Sequence, residues 1–176
     1  MIDCAKIVGA RIVKPEQSVI QMAGMFKIRK KLTNARLNQM LLGSYYAGAA
    51  FTKAYVGYVH AIAHAIGGLY GVLHGYANAV ILPVVLQEYS KAVYNDLADL
   101  ADAVGITGHS KQEQTEKFIA AIQQMNRYMG IQKTLNVVKE EDVPEIIKRA
   151  LKEANPAYPV PVIWDEKQLW KVIEAL

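Results

Sequence analysis

Between Ala54 and Gln87 the chain contains no Asp, Glu, Lys or Arg, yet the same stretch holds His60, His64 and His74, three of its four histidines. An uncharged run of this length must be buried, either in lipid or in a protein core. It is long enough to span a bilayer. Three imidazoles, Asn78, several glycines and Pro83 make it a poor lipid-facing helix. Two core helices wrapped by amphipathic neighbours account for it better. Burying imidazoles is costly unless they have partners, so three of them in one apolar segment point to a site.

The spacing says what kind of site is possible. Residues four apart lie one turn apart on the same helical face, so His60 and His64 point the same way from a helix predicted over about Phe51 to Ile66. Gly67-Gly68 and Gly71 follow, and glycines of this density end helices and let the chain turn. A second helix is expected from Leu73 or His74 to about Leu82, where Pro83 intervenes. Helix, glycine turn, helix can bring the three imidazoles around one point. Imidazole suits Zn, Fe, Cu and Ni alike, so spacing alone does not select the metal.

Helical periodicity continues to the C-terminus. Tyr89, Val93, Leu97, Leu100 and Val104 recur at helical spacing before Gly105. Ser110 with Glu113 forms a capping-box pattern ahead of the stripe Phe118, Ile122, Met125 and Met129, which Gly130 closes. Asp142 with Glu145 starts a helix whose inner face is Ile146, Ile147, Ala150, Leu151 and Ala154, and Asn155-Pro156 stops it. Asp165 caps the last, with Leu169, Val172, Ile173 and Leu176 on one face. Tyr158–Ile163 is extended by its prolines, and no alternating run is long enough for a sheet. The fold class is all-α, a multi-helix bundle. The methionine and aromatic stripes are read as core, and His109 as an exposed loop residue.

Composition narrows the function classes. With 52% hydrophobic and 20% charged residues in 176, the chain is globular and can bury a sizeable core. Much of the +4 formal charge sits in Lys27, Arg29, Lys30 and Lys31. No aromatic interleaving or nucleic-acid motif accompanies that run, so it reads as a solvated helix end and no nucleic-acid partner is expected. The single Cys4 excludes an intramolecular disulfide and agrees with a cytoplasmic setting. Lys6, Arg11 and Lys14 interrupt any signal-peptide-like apolar run.

The wider pattern is more specific than the histidine spacing. AFTKAYVGYVHAIAHAIGGLYGVLHGYANAVILP, Ala50 to Pro83, resembles the signature of the iron-containing (group III) alcohol dehydrogenases: a small-residue helix, GxxHAxAHxxG, a turn, then HGxANAxxLP. The matching residues are Gly57, His60, Ala61, Ala63, His64, Gly67, His74, Gly75, Ala77, Asn78, Ala79, Leu82 and Pro83. The family usually has Pro before the second histidine, where this chain has Leu73. ARLNQMLLGSYYAG, from Ala35, resembles the preceding helix, and the stretch from Gly130 to Leu176 resembles the family's C-terminal end.

That resemblance implies the C-terminal helical domain of such an enzyme, over residues 35–176, with 1–34 a segment of uncertain role. It implies His60 and His74 as ligands to Fe2+, with Zn2+ as the alternative, and His64 as a catalytic residue handling a proton beside the metal. It implies hydride transfer between a small alcohol or aldehyde and NAD or NADP, in a homo-oligomer without membrane or nucleic-acid partners. The family's N-terminal α/β domain, with its glycine-rich turn for the dinucleotide, has no counterpart in this sequence. The family's other two ligands, an Asp and a His four residues later, are also unmatched: Ile7 stands four after Asp3, and no histidine precedes His60. The chain is therefore read as a fragment or truncated form of the dehydrogenase. The alternative is a catalytically inactive helical remnant or oligomerisation module.

Overall fold

The computed structural model describes residues 34–176; the expectations placed on Asp3, Cys4 and the basic run at Lys27–Lys31 lie outside them. The described residues form seven α-helices and no strand: α1 (Asn34–Ala54), α2 (Tyr58–Tyr70), α3 (His74–Tyr89), α4 (Tyr94–Ala103), α5 (Lys111–Met129), α6 (Val143–Ala154) and α7 (Glu166–Glu174). Short 3-10 turns cover Ser90–Val93 and Glu140–Asp142. The predicted all-α class is the observed one. No described helix is long and apolar enough to cross a membrane.

The chain divides into two compact units. The first takes in α1, α4 and the start of α5; the second takes in α2, α3, the remainder of α5, α6 and α7. In the first, Thr115 of α5 donates to the Tyr94 carbonyl of α4, and the Gln114 amide donates to Asp102. Ser110 Oγ accepts from Glu113 N as a capping residue should. The return bond of Glu113 goes to His109 N rather than to Ser110 N, so the box is displaced by one residue.

The second unit explains the uncharged segment. Helix α2 packs against both α3 and α6, and α7 closes on α3 and α6. Its buried residues, Val59, Ala61, Ile62, Ala63, Ala65 and Ile66, therefore cover most of its circumference. The strip through His60, His64 and Gly67-Gly68 is left partly open, as are Leu69 and Tyr70 at the helix end. Burying a side chain such as Ile62, Ile66, Ile81 or Leu86 contributes about 1.5–3 kcal/mol. Two helices need no charged face when each packs on the other and on α6 or α7.

Four boundaries differ from the sequence expectation, each for a local physical reason. The helix expected from Phe51 breaks at Tyr55–Gly57, where Tyr55 has φ 60°. It restarts at Tyr58, which is fully buried: its hydroxyl donates to Asn155 Oδ1 and accepts from Trp164 N, both at 2.8 Å. The Trp164 indole stacks on the Tyr58 ring with centroids 4.6 Å apart. Gly67-Gly68 do not end α2, because a helix tolerates glycine at about 1 kcal/mol each. The stop is Gly71, whose left-handed φ of 67° lets its N–H reach Gly67 O at 2.9 Å.

Pro83 does not end α3 either. Proline lacks the N–H that would bond the carbonyl four residues back, which here is Ala79 O. Asn126 of α5 supplies the missing donor, its Nδ2 reaching Ala79 O at 2.6 Å. The apolar run from Tyr89 to Val104 is likewise not one helix: Ser90 has φ 49°, and a 3-10 turn separates α3 from α4. At α6 the N-cap Asp142 makes no side-chain cap bond. Its carboxylate instead accepts from Tyr70 OH at 2.5 Å, tying the end of α2 to the start of α6. Asp165 and Gln168 form the full capping box of α7.

Candidate metal centre

His60 and His64 stand one turn apart on the open strip of α2, and His74 is the first residue of α3. The turn capped by Gly71 folds α3 back so that the three rings cluster. Ring centroids are 5.3 Å apart for His60 and His74, 4.9 Å for His64 and His74, and 6.0 Å for His60 and His64. The convergence expected from the spacing is thus present.

The three imidazoles differ in their surroundings. Burial, aided by the neighbouring His74 and His64, pushes His60 down to about 4, so it is neutral at physiological pH. Burial and then the adjacent His64 also lower His74. Neutral imidazole is the form that ligates a metal. Asn78, one turn along α3, hydrogen-bonds His74 Nε2 through its amide nitrogen at 3.0 Å. Two buried polar atoms here, His60 Nδ1 and Asn78 Oδ1, have no hydrogen-bond partner. Orphaned polar atoms are uncommon in a native core and cost free energy.

His64 is different. Its side chain is 46% exposed, and its Nδ1 lies 2.7 Å from Glu153 Oε1 of α6. The same carboxylate oxygen accepts from Tyr158 OH at 2.8 Å. Among the described residues, no group of three or more His, Cys, Asp or Glu side chains is arranged to hold a metal ion.

Sequence reasoning did not single out Glu153 or Tyr158, and gave Asn78 no role. For Asn78 a signal existed: it is the one asparagine in an uncharged segment, one helical turn from His74. Glu153 carries no local signal, since it sits 89 positions from His64 among ordinary surface charges. His109 is an exposed residue between helices, as expected.

The family model described as Fe-containing alcohol dehydrogenase, C-terminal, matches residues 17–176. The 1,3-propanediol dehydrogenase of Klebsiella pneumoniae is 40% identical over 163 residues, covering 84% of this chain and 42% of its own length. That of Citrobacter freundii is 34% identical over 175 residues, covering 97% and 43%. Among solved structures, a 1,3-propanediol oxidoreductase superposes with a TM-score of 0.83 at 33% identity, covering 98% of this chain and 44% of that one. The alcohol dehydrogenase from Oenococcus oeni gives 0.83 at 29% identity, over 92% and 44%. The chain thus spans less than half the length of these relatives. From residue 17 to its last residue, this chain belongs to the Fe-containing alcohol dehydrogenase family and corresponds to its C-terminal, helical part.

Proposed function

We propose that residues 35–176 form the metal-binding helical domain of an iron-dependent alcohol dehydrogenase. Its reaction would be hydride transfer between a small alcohol or aldehyde and NAD or NADP. The observation that carries this reading is the convergence of the imidazoles of His60 and His74, with ring centroids 5.3 Å apart, beside two unpartnered buried polar atoms. That donor set fits a divalent transition metal, with iron or zinc both accommodated by imidazole. His60 and His74 would hold it, and the remaining ligands would come from outside the described residues. When bound, the metal supplies Lewis-acid polarisation of the alcohol or carbonyl oxygen.

The chain's own residues divide the remaining work. The apolar walls of α2 and α3 keep water from the His60 side, which strengthens electrostatic interactions there. Asn78 orients the His74 ring through Nε2. His64, half-exposed and not buried like His60, is the proton carrier. The names of the relatives favour short alcohols and diols as substrates, and self-association into a homo-oligomer belongs to the same reading.

Metal analysis tests this. The chain is dialysed to equilibrium against Fe2+, anaerobically, or against Zn2+, and its bound metal is measured for wild type, His60→Ala, His74→Ala and His64→Ala. Loss of metal in the first two variants and retention in the third is expected. Metal content indifferent to both His60 and His74 would overturn the assignment. NAD or NADP reduction with a panel of short alcohols and diols, by the complete enzyme carrying this chain, tests the reaction itself.

A further inference from the structure

The bond between His64 and Glu153 invites a bland explanation. An exposed ion pair is worth about 0–1 kcal/mol and many such pairs have no role. Three features of this pair argue otherwise. Glu153 lies in the last turn of α6, where a carboxylate faces the negative end of the helix dipole at a cost of about 0.3–1 kcal/mol. Helix stability does not explain its position. Second, its Oε1 receives two donors at once, His64 Nδ1 at 2.7 Å and Tyr158 OH at 2.8 Å. Third, the imidazole it holds is the one stacked against His74, with centroids 4.9 Å apart and ring planes 20° from parallel.

Tyr158 is itself anchored. Its backbone N–H bonds Ala154 O at 2.8 Å, and its carbonyl accepts from Val160 N at 2.9 Å. Burial, with help from Glu153, pushes its hydroxyl up to about 12, so it remains a neutral donor. A carboxylate only accepts hydrogen bonds. The proton between Glu153 and His64 therefore sits on Nδ1, which leaves Nε2 as the free acceptor nitrogen. This is how a second residue fixes the tautomer and orientation of a histidine.

We propose that Glu153 is a positioning residue, itself held by Tyr158, which locks His64 as the Nδ1–H tautomer so that Nε2 serves as the proton acceptor in alcohol oxidation. The inference rests on the dehydrogenase reading for its catalytic meaning. In that step the alcohol O–H proton would pass to His64 Nε2, and the nicotinamide cofactor that the dehydrogenase reading requires would supply the hydride acceptor for the C–H hydrogen. The Nδ1 proton stays on the ring, donated to Glu153 throughout, and aldehyde reduction would return the proton taken up at Nε2.

Long-range 1H–15N correlation spectra of the 15N-histidine-labelled full chain read the tautomer directly. They are recorded at about pH 8, above the ordinary imidazole range, with His64 assigned through the signals lost in His64→Gln. The expected wild-type result is a protonated Nδ1 and an unprotonated Nε2. Glu153→Met should convert His64 to the Nε2–H form that free histidine favours, and Tyr158→Phe should shift it part of the way. An Nε2–H His64 in the wild type, or a tautomer unchanged in Glu153→Met, overturns the proposal. If circular dichroism shows Glu153→Met unfolded, the wild-type spectrum and Tyr158→Phe decide. In the complete enzyme, Glu153→Met should lower kcat about tenfold or more with KM and metal content retained; unchanged kcat would remove the catalytic role. Should metal binding prove indifferent to His60 and His74 while the tautomer is as expected, the dehydrogenase reading falls and the tautomer lock stands.

Discussion

Pro83 inside α3 and Asn126 in α5 form a pair whose energetic link can be measured. Replacing Asn126 with Ala removes the donor from a partly buried carbonyl, Ala79 O, that has no helical N–H to turn to. Leaving such a group unsatisfied costs about 1–3 kcal/mol. With a urea m-value of about 2 kcal/mol/M, the unfolding midpoint should fall on the order of 1 M. Replacing Pro83 with Ala restores a backbone N–H four residues after Ala79. In that background the carbonyl keeps a partner when Asn126 is lost, so the cost of Asn126→Ala should shrink by about 1 kcal/mol or more. Urea denaturation of the wild type, both single variants and the double variant gives the coupling, and the unfolded-state effect of removing proline cancels in the cycle. Equal costs of Asn126→Ala in the two backgrounds, within about 0.3 kcal/mol, would refute the idea that Asn126 compensates for Pro83.

Tyr58→Phe should destabilise the chain by about 1–3 kcal/mol, because Trp164 N then loses its acceptor in a buried site; thermal unfolding reads this, and a neutral result would mean that another acceptor takes over. Leu73→Pro should stabilise by about 0.4–1 kcal/mol, since Leu73 has φ −58° and is 79% exposed, so proline fits without strain and restricts the unfolded chain. Gly71→Ala should cost about 1–2 kcal/mol from the left-handed backbone alone, as nothing lies within 4 Å of an added Cβ; a larger loss in denaturant melts would point to a clash. Calorimetry should find weak divalent-metal binding by this chain, because the two proposed ligands, His60 and His74, fall short of the three or four donors that protein sites use; tight one-to-one binding would reveal ligands beyond them.

Much of this protein is written in its local pattern. The lack of charge from Ala54 to Gln87 demands a core pair of helices, and the four-residue step from His60 to His64 fixes their common face whatever surrounds them. The capping box at Asp165 and the apolar stripe of α7 act within a single turn, so they too survive any tertiary context. Tertiary contacts decided the rest. Tyr58 begins a new helix because Asn155 and Trp164, about a hundred positions away in sequence, hold its hydroxyl. Pro83 stays inside α3 because Asn126 on another helix satisfies the carbonyl it orphans. Asp142 abandons its cap because Tyr70 reaches it from α2. Glu153 meets His64 only because α6 packs on α2. Propensity and spacing work over one or two turns, whereas a polar group chooses its partner after folding has brought distant segments into hydrogen-bond range.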